Sequence, residues 1–318
     1  MTTINEYHLL VNPNSGSGKG TKIAHRAKKY LEKQGKKAHL YESLYQGHIT
    51  NIILTLAPTL TESEHRDGLI VVIGGDGTIS EAINALGDQY ASIPLAFIPS
   101  GSGNDFSRGF SISRNPKKAL EQILNASKPK QIDVIVYTNN QTGEKKYAVN
   151  NVGLGLDASI IKQVNQSTSK VVLNKLSFHS LVYLSAVLSH FIRQKPFPLK
   201  VSANEKTESF QRAFLVTVNN HPYFGSGIKI SPKASAFSEK LDLIVLERVS
   251  GLTFLKLFVL VFTTGNHLED EDVHYYHSKE LRLSALTPVQ GQKDGEEIGF
   301  EPFDMTLTTT KRLFWFES

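Results

Sequence analysis

Leu69-Ile70-Val71-Val72-Ile73-Gly74-Gly75-Asp76-Gly77-Thr78 is the stretch that decides the fold of this 318-residue chain. An apolar, β-branched run that ends in glycines reads as a buried strand delivering a tight loop. The spacing of Thr78-Ile79-Ser80-Glu81 matches a capping box and predicts that a helix follows at once. Glycines let a backbone approach a polyphosphate, and the N–H groups at a helix start supply donors to it. Asp76, set among those donors, is suited to carry Mg²⁺ or to orient a hydroxyl. The stretch therefore points to nucleotide phosphate and phosphoryl transfer.

Outward from this loop, short apolar strands alternate with helical patterns. Strands are expected at 7–11, 38–41, 69–73 and 94–98, with helices at 21–35, 49–60, 80–86, from about 104, and at 116–125. Such alternation predicts parallel strands joined by crossover helices. Three strand ends carry small polar residues: Asn12-Pro13-Asn14-Ser15-Gly16-Ser17-Gly18, the Gly74–Thr78 loop, and Pro99-Ser100-Gly101-Ser102-Gly103-Asn104-Asp105. Open α/β sheets bind ligands at that edge, and three such turns on one edge outweigh a single glycine-rich turn. Gly18-Lys19-Gly20-Thr21 is a decoy: a Walker A loop needs Ser or Thr directly after Gly-Lys, and Gly20 intervenes.

After residue 130 the texture changes to β-rich runs, interrupted by two apolar helical patterns at 176–192 and 252–264. The expected architecture is an α/β nucleotide-binding domain with a parallel sheet over 1–130. A β-rich antiparallel sandwich that carries the acceptor site follows over 131–299, and the tail from about 300 to 318 is expected to return to the first domain. Neither apolar pattern suits a membrane span, which needs about 20 mainly apolar residues. Both suit amphipathic or buried helices and are candidate walls for a lipid.

Composition narrows the classes. There are no cysteines, which excludes disulfides and thiolate metal sites. The first residues, Met1-Thr2-Thr3-Ile4-Asn5-Glu6, lack the basic and apolar regions of a signal peptide, so a cytoplasmic protein is expected. The net charge of +5 is modest. Arg26, Lys28, Lys29, Lys33, Lys36 and Lys37 form the densest basic cluster. A solvated helix face is its plainest reading. Docking on an anionic membrane surface is its functional one, and nucleic acid is not an expected partner because no aromatics interleave with the basic residues.

Gly74-Gly75-Asp76-Gly77-Thr78, Gly103-Asn104-Asp105-Phe106, Gln131-Ile132-Asp133, Asn151-Val152-Gly153-Leu154-Gly155-Leu156-Asp157 and the late Asp294-Gly295-Glu296 together resemble the diacylglycerol kinase catalytic family, in particular the soluble bacterial lipid kinases. The glycine loop alone is shared with NAD kinases; Gly-Asn-Asp-Phe and Asp-Gly-Glu separate the lipid kinases from them. The resemblance implies that Asn12, Ser15, Gly16, Ser43 and the loop Gly74, Gly75, Asp76, Gly77, Thr78, Ile79 and Ser80 hold ATP, with Glu81 and Ser102 beside it. It implies Asp76 next to the phosphates and Mg²⁺, a water-linked acidic network of Asp76, Asp105 and Asp133, and Glu296 as general base. Read without the family, Glu296 is a solvated hairpin tip and Asp133 a helix-to-strand link. Asp76 is expected to be purely functional, so that its loss leaves the unliganded thermal midpoint nearly unchanged.

One departure stands out. Many bacterial members hold a structural Mg²⁺ through an Asp-Gly turn, and the matching positions here are Ser235, Ser238 and Lys240, with Ser238-Glu239 in place of Asp-Gly. That ion is expected to be lost, and the turn to be held by hydrogen bonds or by Lys240 pairing with an acid. The sequence thus reads as an ATP- and Mg²⁺-dependent lipid kinase, peripheral at a membrane, with diacylglycerol as first-choice acceptor. Another hydroxyl (a sphingoid base, another glycerolipid, NAD) and a catalytically silent nucleotide- or lipid-binding regulator stay open, as does a homodimer.

Overall fold

The computed structural model describes residues 4–62, 67–156, 158–159, 191–225 and 227–317. The chain divides into two compact units: residues 1–134, 225–227 and 310–318 form one, and residues 135–224 and 228–309 the other.

Unit 1 is built on β1 (Glu6–Val11), β2 (Lys37–Glu42), β3 (Gly68–Gly74) and β4 (Leu95–Pro99). β1 pairs in parallel with β2 and with β3, and β3 pairs in parallel with β4. Every residue of β3 from Leu69 to Gly74 is buried, as a strand covered on both faces requires. The crossovers are α1 (Gly20–Lys33), α2 (His48–Thr61) and α3 (Asp76–Leu86), followed by α4 (Asp105–Gly109) and α5 (Pro116–Asn125). α1 buries Ala24, Ala27 and Leu31, a one-sided stripe at helical spacing whose alanines admit close approach to the sheet. Only residues 310–318 of the expected tail belong to this unit, residues 300–309 falling in the other: Phe314 pairs with Leu95, and the Trp315 indole N–H donates to the Ile123 carbonyl at 3.0 Å.

Unit 2 is antiparallel. It comprises β6 (Lys145–Ala148), β7 (Asn151–Gly155), β8 (Phe197–Ala203), β9 (Lys206–Asn219), β10 (Tyr223–Phe224), β11 (Ile228–Lys229), β12 (Leu241–Glu247), β13 (Val273–Ser278) and β14 (Leu281–Lys293), with most of β5 (Lys130–Asn139) and β15 (Glu296–Phe314), and the helix α6 (Gly251–Phe262). β8 alternates buried and exposed residues, the pattern of a strand with one face on the core. That core gathers Val152, Leu154, Val201, Val216, Leu243 and Leu283. β7 and β8 lie end to end along β9: Gly155 opposes Leu215, and Phe197 opposes Ala213. Of the expected apolar helix at 176–192, all but the last two residues lie outside the described residues, as does Asp157. The other expected helix is α6. Its Phe254 and Leu257 join a second cluster with Leu156, Phe191 and Phe214.

A buried polar pair ties down the turn between β6 and β7. His221 Nε2 donates to Asn150 Oδ1 at 2.8 Å, and its Nδ1 accepts the Tyr223 N–H at 3.2 Å. One nitrogen donating and one accepting is the pattern of a neutral imidazole, and burial lowers its pKa to about 3. The unfolded chain therefore takes up the proton first, so this contribution is complete above pH ~6.5 and declines as pH falls toward 3, by at most about 1.4 kcal/mol per pH unit. The thermal midpoint of His221→Gln is expected to fall less steeply between pH 7 and 4.5 than that of the parent. Parallel slopes would contradict it.

Candidate functional site

The strand order β2-β1-β3-β4 reverses direction between β1 and β3, and ligands of open α/β sheets bind outside the carboxyl ends at such a switch point. The sequence puts its glycine-rich loops there. The loops spring from one continuous hydrogen-bonded edge: Ser43 N–H donates to the Val11 carbonyl at 2.9 Å, Asn12 N–H to Ile73 at 3.0 Å, and Ser100 N–H to Gly74 at 2.8 Å.

The first loop makes one irregular turn, Ser15–Gly18, with Gly16 at φ 60° and Gly18 at φ 84°. A Cβ on Gly16 would sit 2.1 Å from the Ser100 carbonyl oxygen, so only glycine permits this approach. Ser15 Oγ donates to the Asn12 carbonyl at 2.7 Å and lies 2.6 Å from Ser100 Oγ. The third loop is equally close to the second, since a Cβ on Gly101 would come within 2.7 Å of Gly75 Cα. Ser102 is exposed. These residues form a cradle of bare backbone that side chains would fill, which fits a polyphosphate.

α3 begins at Asp76, with Gly75 as its N-cap and no side-chain cap bond. The capping-box expectation is thereby corrected: the N-cap is Gly75 and not Thr78, three residues earlier, which places Thr78 inside the first turn. Ile79 and Ser80 are fully buried, so their side chains face the core of unit 1, and only the backbone of this turn is available to a ligand. Glu81 is engaged elsewhere, its Oε1 accepting the Thr50 N–H at 2.9 Å. It satisfies an otherwise orphaned donor in the first turn of α2.

Asp76 has a structural role within unit 1. Its two carboxylate oxygens accept the Phe106 and Asp105 N–H groups at 2.9 and 3.1 Å, capping α4. This corrects the expectation that Asp76 is purely functional, because removing such an acceptor costs about 1–2 kcal/mol. The other two acids each have a direct cationic partner: Asp105 pairs with Arg108 at 2.8 Å, and Asp133 with Lys311 at 2.8 Å.

In unit 2, Lys293-Asp294-Gly295-Glu296 closes the β14–β15 hairpin. Asp294 and Gly295 both have positive φ, 49° and 86°, as a two-residue type I′ turn demands. Glu296 is exposed at this tip. Asp294, to which the sequence reading gave no role of its own, accepts three backbone N–H groups, from Val149 at 2.9 Å, Asn150 at 2.8 Å and Asn151 at 3.2 Å. The turn that carries Glu296 is thus riveted to the His221-supported turn between β6 and β7.

The Ser235–Lys240 turn offers a cation poor ligands. Ser238 Oγ is hydrogen-bonded to the Ser235 carbonyl at 2.8 Å and lies 3.3 Å from that of Lys240, so a neutral hydroxyl already joins the two carbonyls. Glu239 is exposed and sits at φ 57°, the conformation that a glycine would take without strain. Mg²⁺ requires octahedral oxygens, commonly with carboxylates among them, and this donor set does not fit it.

Comparison with known proteins agrees with the two-part layout. Residues 6–137 match the "Diacylglycerol kinase catalytic domain" and residues 150–311 the "YegS C-terminal NAD kinase beta sandwich-like domain". The chain is 28% identical to "Putative lipid kinase YtlR" of Bacillus subtilis over 94% of its length and 96% of that protein. It is 31% identical to "Putative lipid kinase SAS0691" of Staphylococcus aureus over 75% of its length and 74% of that protein. A crystal structure described as a putative diacylglycerol kinase from Bacillus anthracis shares the fold, with a TM-score of 0.75 at 22% identity over 100% of this chain and 97% of the other.

The hydroxyl clasp at Ser238 has a direct test. The double replacement Ser238→Asp, Glu239→Gly is expected to gain a Mg²⁺-dependent rise in thermal midpoint that the parent lacks. A Mg²⁺-dependent rise in the parent would contradict the clasp.

Proposed function

Because this chain belongs to the diacylglycerol kinase catalytic family, we propose that it transfers the γ-phosphoryl group of ATP to a lipid hydroxyl, with diacylglycerol the preferred acceptor and phosphatidic acid the product. The observation that carries this reading is the bare-backbone cradle at the β1/β3 switch point, combined with an Asp-Gly-Glu hairpin whose tip is rigidly anchored. Phosphoryl transfer asks mainly for positioning and for charge neutralisation. The Asn12–Gly18, Gly74–Thr78 and Ser100–Asn104 loops supply donors to the phosphates, and the start of α3 adds its partial positive charge. Ser43 and Ser102 border the same edge. Mg²⁺ would ride mainly on the phosphates, with Asp76 beside it, since each Asp76 oxygen has a second lone pair beyond the backbone N–H that it accepts.

The acceptor hydroxyl must shed a proton as it attacks, and in this reading the Glu296 carboxylate takes it. Membrane access is peripheral in this reading: among the described residues no helix is long and apolar enough to cross a membrane. Arg26, Lys29 and Lys33 are exposed on or near α1, whereas Lys36 is occupied by the Ile4 carbonyl at 2.8 Å. The free members suit weak attraction to anionic lipid.

Radiolabelled ATP offered with a panel of hydroxylated lipids and NAD tests the proposal. Diacylglycerol is expected to be labelled, and Glu296→Gln to lower turnover by about 10²–10⁴ while keeping ATP affinity. Asp76→Asn is expected to abolish transfer and also to lower the thermal midpoint. Full turnover in either variant would overturn the corresponding role.

A further inference from the structure

A cavity of about 440 Å³ lies between α1 and α5 in unit 1, and the functions above leave it unused. Its size falls within the ~300–1,000 Å³ of small-molecule sites. Ile23, Ala27 and Tyr30 from α1 and Leu120 from α5 line it, together with Arg26 and Lys117. Ala27 and Leu120 are buried and Ile23 and Tyr30 half-buried, whereas Arg26 and Lys117 are exposed. The recess therefore has an apolar floor and a cationic rim. Among the described residues, none from the Asn12–Gly18, Gly74–Thr78 or Ser100–Asn104 loops lines it, so it is separate from the phosphate cradle.

The surrounding charge is mainly of one sign. Lys22, Arg26, Lys29 and Lys33 are all exposed and recur at i, i+4, i+7 and i+11, which sets them in one stripe along α1. Among the described residues no carboxylate lines the cavity. Glu121 of α5 pairs with Lys117 at 3.6 Å, and Glu32 of α1 with Lys28 at 3.8 Å; exposed pairs of this kind are weak. The recess thus attracts anions and repels cations. Inorganic phosphate leaves the apolar floor unused, and a neutral apolar molecule leaves the cations unused. A chain with an anionic head uses both. A bilayer presents a plane of head groups, whereas a recess between two helices admits a single chain.

We propose that this cavity binds one single-chain anionic amphiphile, a fatty carboxylate or a monoalkyl phosphate. Its chain lies against Ile23, Ala27, Tyr30 and Leu120, and its head is held by Arg26 and Lys117. The planar guanidinium of Arg26 matches the oxygens of a carboxylate or a phosphate, and each methylene that reaches the floor adds apolar burial. This is a second ligand site, apart from the nucleotide and the acceptor, and it stands whether or not the lipid-kinase reading holds.

Calorimetric titration of the full-length protein tests it, with Mg²⁺ and a non-hydrolysable ATP analogue present throughout. The probes are octyl phosphate, decyl phosphate, decanoate and decyltrimethylammonium, all below the concentrations at which they form micelles. Decyl phosphate and decanoate are expected to bind at one site, with decyl phosphate about tenfold tighter than octyl phosphate for its two extra methylenes. The Arg26→Gln, Lys117→Gln double variant is expected to lose about tenfold in affinity for decyl phosphate, and Arg26→Glu, Lys117→Glu to prefer decyltrimethylammonium. Equal affinity of the parent for decyl phosphate and decyltrimethylammonium, or undiminished affinity in the first double variant, would overturn the proposal. A diazirine-bearing fatty acid is expected to cross-link within residues 20–33 and 116–125; label confined to other segments would overturn the location. Binding to phosphatidylglycerol vesicles without binding of monomeric decyl phosphate would assign the basic stripe to a bilayer and overturn the single-chain site. None of these readouts involves turnover, so failure of the kinase reading leaves them unmoved.

Discussion

The approach of Gly16 to the Ser100 carbonyl is the contact on which the nucleotide edge of unit 1 depends. No side chain fits there, since a Cβ would lie 2.1 Å from that oxygen. The close approach brings Ser15 Oγ within 2.6 Å of Ser100 Oγ and so joins the turns after β1 and β4 across the turn after β3. Three loops that could otherwise move separately become one rigid rim. Rigidity matters because phosphoryl transfer gains most from donors fixed before the charge develops.

Unit 2 solves a parallel problem with a carboxylate instead of a glycine. Asp294 gathers three N–H groups of residues 149–151, a charge-assisted arrangement stronger than neutral hydrogen bonds. Its positive-φ turn carries Glu296 at the hairpin tip. His221, buried and neutral, supports the same turn through Asn150. The exposed Glu296 therefore stands on an anchored base, although it looks like an ordinary solvated tip.

Much of this was legible in the sequence for local reasons. The run before Gly74 is too uniformly apolar to be anything but a covered strand, and the glycines of the three turns mark places where side chains cannot go. The start of α3 was misplaced because Thr78–Glu81 satisfies a local spacing rule, whereas the actual partner of Glu81 is Thr50 on another helix. The capping duty of Asp76 toward α4 was hidden for the same reason. The role of Asp294 was illegible because its partners lie 143–145 residues away, and Lys-Asp-Gly-Glu-Glu reads as a wet turn. Ser238 was visible as a departure from an Asp-Gly pattern. That its hydroxyl joins the two carbonyls was not.

The central claim is that the three loop ends of unit 1 form the phosphate cradle. Hydrogen–deuterium exchange of the full-length protein, with and without a non-hydrolysable ATP analogue and Mg²⁺, tests it most directly. The account predicts slowed exchange in residues 12–20, 74–79 and 100–106, with the β9 and β12 core strands unchanged. Protection that spares these three loops, or that appears only in unit 2, would contradict it.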